Sequence, residues 1–260
     1  MKTTLITGLD GSGKSTLLKR LLDLNHSDWG FVFVPHIDLS RINAQSPLYQ
    51  FSNFVNTLSE EADNKQIPQL KGLALFASML LFHLLQDEET KEEKRQLFLE
   101  RHPLIDTLVY AQFYAAKLHP ADMDEAVLKE LDSRFETELG YLLYLADAEA
   151  AEGETMSGAL LCFIHEAFYA NPIEDLAGLF CVELPDEIYF LQAESELLYS
   201  RIAERPVKEA HESVTVFEQL AKAYEEILRS LENESKVQIT RIDANQIANL
   251  DALYERLANG

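Results

Sequence analysis

Short runs of apolar and β-branched residues recur along the chain, and each ends at a glycine, a proline or a polar or charged residue. Runs of this kind indicate buried strands, whereas apolar residues spaced three and four apart indicate helices. Because helical segments separate the runs, the pattern predicts a five-stranded parallel sheet with helices on both faces, an α/β fold. The five predicted strands cover residues 3–7, 31–34, 96–100, 187–191 and 237–240.

The segments between these strands carry helical spacing. The sequence predicts a helix that starts at Lys14, two helices within 49–86, and one continuous helix over 123–145. A helix is also expected within 153–179, where the pattern is weakest. Four further helices are predicted over 104–117, 194–204, 214–231 and 246–258.

No fixed-period repeat and no linker rich in proline, glycine or serine divides the sequence, so one domain is predicted over residues 1–260, with a helical insertion at about 48–95. The longest apolar run, 73–85, is shorter than the roughly 20 residues that a membrane span needs. The first residues reach Gly8 too soon to hold a secretory apolar region. Cys162 and Cys181 have apolar neighbours, which favours packed, reduced thiols. We therefore expect a cytoplasmic protein without a membrane partner.

The net charge of the chain argues against one class of partner. The chain has 44 acidic and 22 basic side chains among 260 residues, which gives a formal net charge of −22 at pH 7. Such a surface repels polyanions, so a nucleic-acid polymer is not an expected partner. A small bound anion would need cations placed locally around it.

The sequence from Gly8 to Ser15, GLDGSGKS, matches the phosphate-loop pattern GxxxxGK[ST] between the first predicted strand and the first predicted helix. Glycines in such a loop let backbone N–H groups face phosphate oxygens, and the helix N-terminus adds partial positive charge. Lys14 is suited to bridge the outer phosphates, and the Ser15 hydroxyl to reach Mg²⁺. The motif predicts binding of a nucleoside triphosphate. The predicted nucleotide-binding residues are Gly8, Asp10, Gly11, Ser12, Gly13, Lys14, Ser15 and Thr16.

Charged residues also mark the end of the third predicted strand, where ligands of α/β sheets gather, and the helix that follows the fourth strand. Glu100 is suited to hold metal-bound water and Arg101 to hold phosphate, although a surface ion pair is the alternative. Arg201 and Arg205 lie four residues apart after the fourth strand, where ordinary pairing with nearby glutamates is the alternative. The residues alone leave both alternatives open.

Five motifs follow one another along nearly the whole chain: GLDGSGKST at 8–16, Glu100-Arg101-His102, PDEIYFL at 185–191, RIAER at 201–205 and Ile242-Asp243-Ala244. In order and in approximate spacing they resemble the thymidylate kinase and deoxynucleoside kinase group of P-loop kinases. The resemblance implies a three-layer P-loop NTPase fold with ATP as donor and Mg²⁺ as cofactor.

The same resemblance implies a role for each candidate catalytic residue besides Lys14. Asp10 would lie near the acceptor's sugar and the transferring phosphate. Glu100 would work with Mg²⁺, with Ser15 as the second metal ligand, while Arg101 would hold phosphate. Arg201 and Arg205 would belong to a lid over about 201–213 that closes on the donor phosphates.

One departure concerns the acceptor. Thymidylate kinases have Arg-Glu-Pro, and deoxynucleoside kinases Glu-Pro, where this chain has Phe33-Val34-Pro35. His36, Asp38 and Arg41 are candidate substitutes. The long helical stretch over 49–93 favours a reshaped acceptor pocket or a dimer interface.

The favoured interpretation is a kinase that phosphorylates a nucleoside monophosphate, with dTMP as the first candidate acceptor. A deoxynucleoside kinase is the enzymatic alternative. A nucleotide-binding regulator or pseudo-kinase is the alternative of another class.

Overall fold

A computed structural model describes residues 1–114, 118–170, 175–203, 213–235 and 237–259. Contacts between residues divide the chain into two compact units. The single domain predicted from the sequence stays a prediction, and each unit is described by itself. The first unit combines Met1–Phe33, Gln86–Asp106 and Glu183–Gly260, and the second combines Val34–Leu85 and Thr107–Val182.

Five parallel strands form the sheet of the first unit, which confirms the predicted fold class. In chain order they are β1 (Lys2–Gly8), β2 (Trp29–Phe33), β3 (Gln96–Glu100), β4 (Glu187–Gln192) and β5 (Gln238–Asp243). Their spatial order is β2-β3-β1-β4-β5, so the strand that precedes the phosphate loop is central.

The described residues form twelve α-helices, most of which connect the strands. In chain order they are α1 (Lys14–Leu22), α2 (Pro47–Lys65), α3 (Pro68–Leu80), α4 (Phe82–Glu89), α5 (Pro103–Tyr114), α6 (Glu125–Arg134), α7 (Glu136–Leu145), α8 (Met156–His165), α9 (Leu176–Phe180), α10 (Ser195–Ile202), α11 (Val214–Glu234) and α12 (Ile247–Asn259). The insertion predicted at about 48–95 thus contains α2, α3 and α4, so three helices lie where the sequence predicted two within 49–86.

Helices cover both faces of the sheet, as predicted. Tyr189 and Leu191 of β4 belong to a core cluster with Leu18 of α1 and Leu253 of α12. Phe190, between them in sequence, faces α11 instead, where its ring centroid lies 5.1 Å from that of Tyr224. Because successive side chains of a strand point to opposite faces, α1 and α12 lie on one face and α11 on the other.

The register of the parallel strands brings the candidate site residues to one edge. Ile6 pairs with Glu100 and Gly8 pairs with Leu191. The carboxyl ends of β1 and β3 are therefore neighbours. The loop after β1 and the Glu100-Arg101 pair at the end of β3 emerge at the same edge of the sheet.

The second unit is helical, and it packs around aromatic side chains. The Phe76 ring centroid lies 5.8 Å from that of Phe163, 5.9 Å from Phe168 and 6.1 Å from Phe180. In the part of the chain that the structure describes, no single helix is long and apolar enough to cross a membrane. The bent pair of α3 and α4 is long and apolar enough only when the two helices are counted together. Most residues of α3 are buried within the protein.

Two sequence predictions in this unit need correction. The helix predicted over 123–145 is broken into α6 and α7 at Phe135, whose φ of −132° and ψ of 34° leave the helical region. The Phe135 ring packs edge-on against Phe54 with centroids 4.8 Å apart, so tertiary packing overrides a continuous helical pattern. Both cysteines are free, as expected, but Cys181 is exposed rather than packed.

Candidate functional site

The loop between β1 and α1 has a backbone that needs its glycines. Gly13 has a φ of 99°, in the left-handed region, and forms the N-cap of α1. At Gly8, with a φ of 146°, a β-carbon would lie 2.5 Å from the Leu191 carbonyl oxygen, closer than real contacts allow. These conformations place the start of α1, with its unpaired N–H groups and partial positive charge, directly after the loop.

Lys14 is enclosed by this loop. The residue is only 4% exposed. Its Nζ donates a hydrogen bond to the Leu9 carbonyl oxygen at 2.9 Å and lies 3.6 Å from Asp10 Oδ1. Burial lowers the pKa of Lys14, and the nearby Asp10 carboxylate opposes that shift. Lys14, the residue predicted to bind the outer phosphates, therefore lies inside the loop.

Ser15, in the first turn of α1, contacts Glu100 at the end of β3. The Ser15 hydroxyl donates a hydrogen bond to Glu100 Oε1 at 2.6 Å. A hydroxyl and a carboxylate are oxygen ligands that suit Mg²⁺, which usually takes one or two protein oxygens and completes its shell with phosphates and water. Among the described residues, no group of three or more His, Cys, Asp or Glu side chains is placed to hold a metal ion. The pair therefore fits Mg²⁺ bound together with a nucleotide.

Arg101 is a buried part of the site, with its side chain only 8% exposed. Its backbone lies in the left-handed region with a φ of 66°, which is uncommon for a residue other than glycine. The Nη2 atom donates to Asp10 Oδ1 at 2.9 Å, and Nη1 donates to Asp106 Oδ1 at 3.3 Å. Asp10 and Arg101, both predicted from sequence, are therefore brought together, and Arg101 is not confined to a surface ion pair with Glu100.

Asp106 and Tyr224 complete this cluster, and neither was among the predicted site residues. Asp106 is fully buried in the first turn of α5. Its Oδ1 accepts a hydrogen bond from the Tyr224 hydroxyl at 2.6 Å, and its Oδ2 accepts one from the His102 backbone N–H at 2.6 Å. The available signal for Asp106 was its position five residues after Arg101, within the stretch that follows the Glu100-Arg101-His102 motif. Tyr224 gave none, because it lies in the apolar stripe of α11.

A cleft of about 450 Å³ opens over the phosphate loop. Arg20 of α1 and Asp251 of α12 form an ion pair on its wall, with Nη1 and Oδ1 2.7 Å apart. Ile247, at the start of α12, is 70% exposed and gives the wall an apolar surface. The cleft is lined by Asp10, Gly11, Gly13, Lys14, Ser15, Thr16, Leu17, Arg20, Arg201, Ile247, Leu250 and Asp251.

Arg201 also reaches this cleft. Its Nη1 donates to the Gly11 carbonyl oxygen at 3.1 Å, and its Nη2 donates to the Ala244 carbonyl oxygen at 3.0 Å. The guanidinium therefore joins the phosphate loop to the turn after β5. Arg205 and residues 204–212 of the predicted lid lie outside the described residues.

The candidate substitutes after β2 belong to the second unit. His36 is exposed. Asp38 has a local role, because its Oδ1 accepts hydrogen bonds from the Ser40 backbone N–H at 3.0 Å and from the Ser40 hydroxyl at 2.7 Å. Arg41 ends the short 3₁₀ turn that Asp38 caps. Their part in acceptor binding stays a prediction.

No protein-family model matches this sequence, and no curated protein matches it. Solved structures do match it over almost its whole length. Deoxyadenosine kinase from M. mycoides with bound dATP is 13% identical, covers 99% of both chains and has a TM-score of 0.51. The same enzyme with the products dCMP and a flexible dCDP is 13% identical over 98% of both chains, also with a TM-score of 0.51.

Thymidylate kinase from Candida albicans is 17% identical, with a TM-score of 0.50, over 98% of this chain and 90% of that chain. At these identities the likeness concerns the fold. The chain therefore has the α/β P-loop fold shared by deoxyadenosine kinase and thymidylate kinase, the kinase group that its sequence motifs resemble.

Proposed function

We propose that this chain is an ATP- and Mg²⁺-dependent kinase that transfers the γ-phosphoryl group to a nucleoside monophosphate, with dTMP as the first candidate acceptor. The observation that carries the proposal is the convergence of three features at one loop. They are the enclosed Lys14, the Ser15–Glu100 pair and the Asp10–Arg101 pair.

The cleft supports a nucleotide as the donor. Its floor is the phosphate loop, and its wall carries the apolar side chains of Ile247 and Leu250, against which a base can pack. Arg20 and Arg201 line the same cleft. With Lys14 they outnumber the two acidic residues of the lining, Asp10 and Asp251. In a chain with a net charge of −22, this local excess of cations suits a polyphosphate.

The residues also suit the chemistry. In the proposed reaction the bond between the γ-phosphorus and the leaving oxygen of ADP breaks, and a bond to an acceptor oxygen forms. Such a transfer depends on positioning and on neutralising charge. Lys14 and Arg101 supply positive charge at the loop, and Asp10 orients the Arg101 guanidinium. Mg²⁺, held by Ser15 and Glu100, would neutralise charge on the donor phosphates.

A monophosphate acceptor is favoured over a nucleoside by the residues at the end of β2. The 5′-hydroxyl of a nucleoside must lose a proton to a base, whereas a phosphate oxygen is already ionised at neutral pH. Val34-Pro35 stands where the resemblance to deoxynucleoside kinases calls for Glu-Pro, and valine cannot accept a proton. The Asp10–Arg101 contact supports the same choice, because it places a cation suited to phosphate beside the loop.

The test is an assay of ADP formation from ATP and Mg²⁺ with dTMP, other monophosphates, deoxynucleosides, or no acceptor. We expect ADP formation that depends on a monophosphate and falls roughly 100-fold or more in Lys14→Ala, because a cation at the transferring phosphate is lost. Lys19→Ala is the matched control, since this exposed lysine lies on the same helix.

Two outcomes would contradict the proposal. Activity with deoxynucleosides alone would identify the enzymatic alternative. ATP binding without ADP formation for every acceptor would identify a nucleotide-binding regulator.

A further inference from the structure

Tyr224 has a polar role inside an otherwise apolar helix face. It is fully buried on α11, and its ring packs against Phe190 of β4. Its hydroxyl donates to Asp106 Oδ1 at 2.6 Å and accepts from Arg101 Nη1 at 3.4 Å. One hydroxyl thus contacts both members of the buried Arg101–Asp106 pair.

Three elements of the first unit converge on this pair. Thr7, near the end of β1, donates from Oγ1 to Asp106 Oδ1 at 3.3 Å, and the His102 backbone N–H donates to Oδ2 at 2.6 Å. With Tyr224 from α11, the donors fix the orientation of the Asp106 carboxylate. Because a guanidinium is planar, holding its Nη1 edge also fixes the direction of its Nη2 edge, which contacts Asp10 of the phosphate loop.

We propose that Tyr224 is a positioning residue for phosphoryl transfer, which orients Asp106 and thereby holds the Arg101 guanidinium beside Asp10. The inference rests on the proposed function, in which Arg101 binds the transferring or acceptor phosphate. The Tyr224 hydroxyl contacts both Asp106 and Arg101, and it also accepts from Thr7 Oγ1 at 3.4 Å. If it acts by orienting the arginine, its contribution to the rate depends on the planar arginine fork. A tyrosine with a purely structural role would stabilise the fold through its ring and its hydroxyl without affecting kcat.

Tyr224→Phe separates the two roles, because it keeps the ring and its packing against Phe190 and removes only the hydroxyl. We expect kcat to fall about tenfold, which corresponds to one hydrogen bond to a charged group. The KM for ATP should stay within about twofold, because the residues that line the donor cleft do not include Tyr224. Tyr189→Phe is the matched control. Tyr189 is a buried tyrosine of β4, and its hydroxyl reaches Glu187 at 3.5 Å, away from the site.

A double-mutant cycle tests whether the hydroxyl acts through the arginine. Arg101→Lys keeps the charge but loses the planar fork, so adding Tyr224→Phe to it should cost less than about twofold in kcat. Asp106→Asn is a second variant. It should lower kcat in the wild-type background and have little further effect on kcat when it is combined with Arg101→Lys. Unfolding followed by Trp29 fluorescence shows whether each variant is folded.

The positioning role is overturned if Tyr224→Phe keeps the wild-type kcat, or if its full effect persists beside Arg101→Lys. If Tyr224→Phe does not fold, a wild-type kcat in Asp106→Asn overturns it equally. Failure of the proposed function looks different, because the wild-type protein itself would then form no ADP with any nucleoside monophosphate, and both ideas would fall. Acceptor-dependent activity in the wild type with no effect of Tyr224→Phe would remove only this inference.

Discussion

Replacing Asp106 by alanine is expected to destabilise the first unit strongly. The fully buried carboxylate accepts two hydrogen bonds of 2.6 Å, from the Tyr224 hydroxyl and the His102 N–H. It also balances the buried Arg101 guanidinium at 3.3 Å. Each buried donor left without its acceptor costs about 1–3 kcal/mol, which gives about 2–6 kcal/mol for two. Removing one partner of a buried ion pair costs about 3–5 kcal/mol. This range is an upper bound here, because Arg101 keeps its 2.9 Å contact with Asp10. Together the two routes give an expected loss of about 2–5 kcal/mol.

The chain offers a direct assay for this loss. Trp29 is its only tryptophan, lies in β2 of the same unit, and has its ring centroid 5.2 Å from that of Phe98. Urea unfolding followed by Trp29 fluorescence therefore reports on the unit that contains Asp106. Asp106→Asn keeps the volume and one acceptor oxygen, so about half the loss is expected.

The control is an ion pair of similar length in solvent. Asp251 pairs with Arg20 at 2.7 Å, but the two side chains are 52% and 42% exposed. Asp251→Ala should therefore cost less than about 1 kcal/mol. If Asp106→Ala lowers the free energy of unfolding no more than Asp251→Ala does, the buried cluster does not stabilise the fold by the amount calculated from its contacts.

Three further predictions concern the edge of the sheet. Glu100→Gln should raise the Mg²⁺ concentration for half-maximal ADP formation roughly tenfold, since a neutral amide is a weaker metal ligand; an unchanged Mg²⁺ titration would contradict the assigned role. Arg201→Ala should raise the KM for ATP several-fold, because the guanidinium joins two segments that line the cleft, and equal KM values would show that it does not shape the donor site. Burial lowers the pKa of His102 to about 3, so the folded state keeps it neutral while the unfolded chain takes up a proton below about pH 6.5. Stability should therefore fall as pH drops from about 6.5 towards 3, by up to about 1.4 kcal/mol per pH unit. His102→Asn should remove this part of the slope in urea titrations between about pH 7 and 5, and an unchanged slope would argue against a neutral buried imidazole.

Local patterns predicted the parts of the fold that depend on local physics. β3 begins and ends at the predicted residues, Gln96 and Glu100, because a short apolar run bounded by charged residues has the length of a buried strand and is too short for a typical helix. The phosphate loop was predicted equally well, because its glycines allow the backbone conformation that the loop needs. The helix after it starts at Lys14, as predicted. The Ser15–Glu100 contact then follows from the parallel register of β1 and β3.

The remaining parts depend on contacts between distant segments. Tyr224 and Asp106 are 118 residues apart, and no periodicity in either segment indicates that they meet. The tyrosine follows Phe217 and Leu220 at helical spacing, which is typical of a core residue, and the spacing gives no information about its hydroxyl. The break at Phe135 has the same origin, because it depends on the packing of one ring against Phe54.

The strand order also affects how the chain folds while it is being synthesised. β1 pairs with both β3 and β4, and its contact with the segment before β4 joins Thr3 to Asp186, 183 residues later. At about 5–20 residues per second, a ribosome needs roughly 10–40 s to make that stretch. During this interval one edge of β1 has no partner, and an unpaired strand edge invites association with other chains. Slow, non-local pairing of this kind is expected to make the nascent protein depend on chaperones until β4 has emerged.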